Sequence, residues 1–153
     1  MAGLTRRRAI GLGLVGSALF GLTISGRAAE AMTVYASPSC GCCHGWVEHM
    51  RAAGFAVVVE DRSSDELARI KRAAGLPPAL SSCHTARIGG YVVEGHVPAA
   101  EVARLLKERP EAIGLTVPGM PADAPGMGHG DTPFAVLLVR PDGEAERFAA
   151  YPR

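Results

Sequence analysis

The sequence predicts an α/β fold in which a mixed sheet is covered by helices on both faces, built in the order βαβα, then a ββ hairpin, then a last helix. Three observations carry this expectation. Short β-branched runs alternate with stretches whose apolar residues recur at helical spacing. Gly89-Gly90 separates two further β-prone runs, the composition of a tight two-residue hairpin. Breakers fall at the junctions, with Gly54, Gly75 and Pro77-Pro78 each closing a helical stretch.

In chain order, the first 31 of the 153 residues read as a targeting segment. Arg6, Arg7 and Arg8 form a charged n-region, Ala9 to Ser25 is an apolar run broken only by Gly, Ser and Thr, and Ala29-Glu30-Ala31 offers a small-x-small cleavage site before Met32. The run falls short of the ~20 residues that span a bilayer, which sets cleavage ahead of a retained membrane anchor. Thr5-Arg6-Arg7-Arg8-Ala9-Ile10 resembles a twin-arginine signal, with a Sec signal as the alternative. Either route delivers the mature chain to the periplasm, and the remaining 122 residues suit one domain.

Met32 to Ala36 contains Thr33-Val34-Tyr35, a strand that ends in a cysteine loop. A helix is expected from about Cys43 to Ala53, with Trp46, Val47 and Met50 on one apolar stripe and Gly54 at C′. Phe55 to Val59 reads as a buried strand. Ser63 or Ser64 caps the next helix, where Leu67, Ile70 and Ala74 keep helical spacing up to Gly75. Thr85 to Ile88 and Tyr91 to Glu94 form the hairpin, and Pro98 opens a third helix that turns Val102, Leu105 and Leu106 inward and ends near Glu108. This order describes a thioredoxin-like fold over residues 32–109. Residues 110–133 hold five prolines and five glycines, too many breakers for a helix or strand. This Pro/Gly/Met-rich C-terminal extension, 110–153, is expected to finish in a terminal β-hairpin of Phe134 to Val139 and Ala145 to Tyr151.

The leader holds four of the 16 basic and one of the 15 acidic residues, so the mature chain has a net charge of −2. Nucleic-acid phosphates call for clustered Lys and Arg, and no partner of that kind is implied. No hydrolytic or transferase motif is present.

All four cysteines lie in the mature part. An exported chain with an even number would ordinarily hold disulfides. Here the adjacency of Cys42 and Cys43 resists that reading, and only Cys83 is far enough along the chain to close a long loop. Cys40 to Cys43 fall where a strand runs through a loop into a helix N-terminus, whose partial positive charge and free N–H groups favour thiolate over thiol. Thiolate is the species that attacks disulfides and the species that binds metals. The C-x-x-C spacing of Cys40 and Cys43 alone suits a thiol-disulfide oxidoreductase. Cys42 complicates that role, because a third thiol would scramble the mixed disulfide. Three thiolates on one loop suit a soft ion such as Cu(I), and a closed four-ligand zinc site is the lesser alternative.

Cys83 stands in Ser81-Ser82-Cys83-His84-Thr85, where a thioredoxin-like fold brings the chain beside the cysteine loop and usually presents a cis-proline. It is expected as a fourth ligand, with a buried apolar filler as the alternative. Met120 and Met127, in the breaker-rich extension, are either thioether ligands or packing contacts. His44 and His84 each follow a candidate cysteine, His96 is set either to cap the third helix or to hold structure near the site, and His129 is within reach from the extension. His49 is expected at the surface, and Trp46 in the core.

These residues together resemble the CopG-like family of exported copper-resistance proteins. The resemblance runs to about Met127, on Cys40-Gly-Cys-Cys-His44, Trp46, Ser82-Cys83-His84-Thr85, Gly95-His96-Val97-Pro98, Pro118-Gly119-Met120-Pro121 and Pro125-Gly126-Met127. It implies a thioredoxin-like domain whose extension helps to bind metal, a multinuclear copper-thiolate cluster beside the C-x-C-C loop, and a role as copper oxidoreductase or in detoxification. The expectation is a periplasmic monomer without stable membrane insertion that exchanges copper ions with other periplasmic copper-handling proteins.

Overall fold

The structure, a computed structural model, describes residues 31–128 and 132–152. The expected leader up to Glu30 and His129 lie outside the described residues. Among the described residues, seven strands form one sheet: β1 (Met32–Ala36), β2 (Val57–Asp61), β3 (Thr85–Ile88), β4 (Tyr91–Glu94), β5 (Gly114–Thr116), β6 (Phe134–Val139) and β7 (Ala145–Tyr151). Three α-helices join them, α1 (Gly41–Ala52), α2 (Ser64–Ala73) and α3 (Ala99–Glu108), with one 3-10 turn at Pro78–Leu80. The strand order is β2-β1-β3-β4-β5-β6-β7. β1 pairs in parallel with β2 and β4 in parallel with β5, and the other neighbours are antiparallel. The βαβα-ββ-α order is therefore present, and the sheet is mixed. Among the described residues, no helix is long and apolar enough to cross a membrane.

The helices form for the reasons their residues supply. In α1 the buried residues are Cys43, Trp46, Val47 and Met50, one face at helical spacing. The Trp46 indole is fully buried and its Nε1–H donates to Val97 O at 2.8 Å. Ser63 caps α2 in a capping box: its Oγ accepts the Glu66 N–H, and its own N–H donates to Glu66 Oε2 at 2.9 Å. The β3–β4 turn places Gly89 at φ 59° and Gly90 at φ 84°, a pair of left-handed conformations that glycine adopts without steric cost.

Four local expectations need correction. α1 begins at Gly41, two residues before the expected start, so Cys42 and Cys43 belong to its first turn. The second strand is not a buried strand at Phe55 to Val59; it is Val57–Asp61 at the edge of the sheet, with Val58 52% exposed. A β-branched run marks a strand without saying which side of it stays unpaired. The breaker-rich extension does contain a strand, β5, held between β4 and β6. His49 is not simply a surface residue, because its Nε2 accepts the Ala99 N–H at 3.0 Å and so caps α3.

The C-terminal hairpin is fastened to α3. The Tyr151 hydroxyl donates to the fully buried Glu101 at 2.7 Å, and the Arg104 guanidinium lies 3.9 Å from the Phe148 ring centre. Between β5 and β6 the chain folds back over α1, where Gly126 (φ 87°) packs against the helix backbone. A Cβ on Gly126 would lie 2.4 Å from Trp46 N and 2.8 Å from Cys42 O.

Candidate metal centre

The end of β1, the first turn of α1 and the start of β3 converge, because β1 and β3 are neighbours in the sheet. Cys40 is the N-cap of α1, and Cys42 and Cys43 follow in its first turn. Cys83 arrives from the segment ahead of β3, and its Sγ lies 4.0 Å from Cys42 Sγ. Cys42 Sγ is in turn 3.5 Å from Cys40 Sγ, and all four cysteine sulfurs lie within 4.8 Å of one another.

Cys40 and Cys43 are joined as a disulfide, while Cys42 and Cys83 are free. The four cysteines therefore do not form two disulfides, but the expectation of three free thiols on the loop is corrected: the bonded pair is the C-x-x-C pair. One turn of helix brings the two Cα atoms to 5.3 Å, a separation that a disulfide bridges. The bonded pair offers no thiolate, so Cys40 and Cys43 can ligate a metal only after reduction.

A second group shares Cys83. His96 Nε2 lies 3.1 Å and His84 Nδ1 3.4 Å from Cys83 Sγ, and these three ligand atoms lie within 4.8 Å of one another. His96 Nδ1–H donates to Pro125 O at 2.8 Å, which leaves Nε2 as the acceptor facing the sulfur. Burial and the neighbouring Cys42 push the Cys83 thiol up to about 11, so in the metal-free protein it keeps its proton, with Cys42 Sγ and His96 Nε2 both within reach. A metal entering here replaces that one proton and meets sulfur and nitrogen donors together. Burial, followed by the nearby His96 and Lys71, lowers His84 to about 3, so its ring is neutral. Its buried Nε2 has no hydrogen-bond partner among the described residues, and its ring packs 4.5 Å from that of Trp46.

The structure therefore brings Cys40, Cys42, Cys43, Cys83, His84 and His96 together. His44 is exposed on α1 and belongs to neither group. Met120 is 60% exposed, whereas Met127 is half-buried against the core beside Gly126. A groove of about 420 Å³ between α2 and the 78–80 turn runs to Cys83. Sequence reasoning missed Lys71 and Glu94, which lie behind Cys83 in a buried polar cluster. The one available signal was a glutamate closing the otherwise apolar Tyr91–Glu94 strand.

A family model described as a protein of unknown function, DUF411, matches residues 80–127, the stretch from just before Cys83 to Met127. No curated protein matches the chain. Two solved structures do, titled copper resistance protein copG, Form 1 and Form 2. They are 38% and 39% identical, with TM-scores of 0.76 and 0.74, and each match covers 82% of this chain and 100% of the other. Sequence identity of that order across the whole of both solved chains places this protein in the CopG family of copper resistance proteins.

Proposed function

We propose that the chain is an exported, periplasmic copper-binding protein that serves copper resistance. The observation that carries this reading is the convergence of four cysteine sulfurs within 4.8 Å, with His84 and His96 gathered at one of them. Thiolate and imidazole are soft and borderline donors, suited to Cu(I) over hard cations. In the oxidised cluster Cys42, Cys83, His84 and His96 are the available ligands. Reduction of the Cys40–Cys43 bond adds two thiolates, enough bridging sulfur for more than one copper ion. Met127, Met120, His129 and His44 are lesser ligands, the first favoured because it packs half-buried against the core to which Cys43 belongs. In this proposal residues 1–31 are a cleaved leader, 32–109 form the metal-binding domain that carries the cysteines, and 110–153 are an extension that contributes to the centre. The protein acts as a monomer and exchanges copper with other periplasmic copper-handling proteins.

Metal content and the optical spectrum of mature protein purified anaerobically without added metal test this reading. The expected result is copper, with thiolate charge-transfer absorption that is lost or sharply reduced in Cys42→Ser. Zinc at about one equivalent with no copper overturns it in favour of a structural zinc module. The Cys40–Cys43 disulfide favours a second reading, a thiol-disulfide oxidoreductase. That reading predicts insulin-disulfide reduction that survives Cys42→Ser, in a protein that takes up no copper.

A further inference from the structure

Behind the metal centre lies a polar cluster with no part in the ligand set. Glu94, the last residue of β4, is fully buried. Its Oε1 accepts the Ser82 N–H at 2.6 Å and Lys71 Nζ at 2.5 Å, and its Oε2 accepts the Thr85 hydroxyl at 2.7 Å. Lys71 Nζ also donates to Thr85 Oγ1 at 2.9 Å. Burial raises the Glu94 pKa, and the Lys71 ammonium, the Ser82 N–H and the Thr85 hydroxyl oppose that shift by hydrogen bonds to the carboxylate. A buried charge persists only when compensated in this way. The compensation reaches the residue next to Cys83 through Ser82, and α2 through Lys71.

The neighbouring Gly95 closes on the same segment. Its N–H donates to His84 O at 3.0 Å, and a Cβ there would lie 2.5 Å from Ser82 Oγ. Residues 82–85 are thus gripped by residues 94 and 95 along their length.

We propose that Glu94 is a positioning residue of the metal centre: by holding the Ser82 N–H, the Thr85 hydroxyl and the Lys71 ammonium, it fixes the segment that presents Cys83 and His84 to the metal. The inference rests on the copper reading above and deepens it. Removal of such outer partners typically weakens metal binding by about 10–100-fold.

The test measures Cu(I) affinity of the reduced mature protein by competition with a chromophoric chelator, together with the thiolate-to-copper absorption and the Tm. The proteins compared are wild type, Glu94→Ala, Glu94→Gln, Thr85→Val and Glu101→Ala. Glu94→Ala is expected to bind Cu(I) about tenfold or more weakly, with an altered absorption. Glu94→Gln, whose amide oxygen still accepts the Ser82 N–H, is expected within about threefold of wild type, and Thr85→Val between the two. Glu101 is another fully buried carboxylate, bonded to Tyr151, and Glu101→Ala is expected to lower the Tm without changing affinity or absorption. Wild-type affinity and absorption in Glu94→Ala overturn the proposal, as does a Gln variant as weak as the Ala variant, or a Glu101→Ala variant equally weakened. Should Glu94→Ala fail to fold, wild-type affinity in Thr85→Val overturns it. A wild-type protein that takes up no copper fails the copper reading instead, before any variant is compared.

Discussion

His84 illustrates how much of the centre depends on single side chains. Its ring is fully buried and its pKa is held at about 3, against an ordinary 6.5. The unfolded chain takes up a proton at this position as the pH falls through 6.5, and the folded chain refuses it until near 3. The stabilisation is therefore complete above 6.5 and is lost progressively as the pH falls from 6.5 towards 3, at up to ~1.4 kcal/mol per unit. Urea unfolding of metal-free protein at pH 7 and pH 5 should show a loss about 2 kcal/mol larger in wild type than in His84→Asn. Equal losses would mean that the buried ring is protonated as freely as in the unfolded chain. The difference between the two proteins isolates His84 from other titrating groups, His96 included. The cysteine loop was legible residue by residue, because strand, loop and helix signals run consecutively there. The C-x-x-C spacing named Cys40 and Cys43 as the pair that could bond, but the third thiol, Cys42, left open whether they are bonded or stand as separate thiolates. His49 and Glu94 were hidden for a different reason: each gains its role from a partner distant in sequence, Ala99 for the one, Ser82 and Lys71 for the other.

At the level of elements, those with complete local signals match their expected bounds. β3, β4, β6 and β7 begin and end as predicted, because glycine turns and alternating β-prone runs fix both edges. α2 is likewise set by its own residues, and Ser63→Ala should cost about 1 kcal/mol in urea unfolding through loss of the capping box. β5 was illegible because it is only three residues long, opens on Gly114 and lies among the prolines and glycines of 110–133, so that pairing on both sides imposes the conformation. The 117–128 segment is instead secured by a backbone contact. Gly126 has a left-handed φ and lies against the first turns of α1, so Gly126→Ala meets both a conformational cost and a collision with Trp46 N. The expected outcome is a local one. Amide exchange in 117–128 should accelerate at least tenfold, equivalent to more than about 1.4 kcal/mol, while β1 and β3 stay protected. His96 would then lose the fixed Pro125 carbonyl that sets its tautomer. Unchanged exchange across 117–128 would show that the contact does not hold the segment.

The whole molecule is one sheet whose two ends do different work. The centre sits beside β1 and β3, and the strands from β5 onward extend the sheet past the hairpin that positions Cys83. In the sequence, residues 110–153 look like an extension added to a finished domain; in the structure, β5 is parallel to β4 and β6–β7 cover its other edge. Leu115 and Val136 are fully buried, so this half contributes core. It also reaches α3, through the Tyr151 hydroxyl on Glu101 and through Arg104 over Phe148. Tyr151→Phe removes one donor from a buried carboxylate and should cost about 1–3 kcal/mol. Ending a chain of residues 32–153 at residue 131 should do far more: it strips β5 of an antiparallel partner, opens a sheet edge to intermolecular pairing, and uncovers apolar surface on β5. The truncated protein is expected to elute as aggregates, or to lose its cooperative melt, on size-exclusion chromatography and thermal unfolding under reducing conditions. If it elutes as the 32–153 chain does, shifted only by the missing residues, and melts within a few degrees of it, the hairpin is an appendage. The order in which properties fail is also informative, since the cysteines all lie before residue 84 and none is removed by the truncation. Loss of copper uptake in step with loss of the folded protein would mean that the far half of the sheet supports the centre through the fold rather than through ligands.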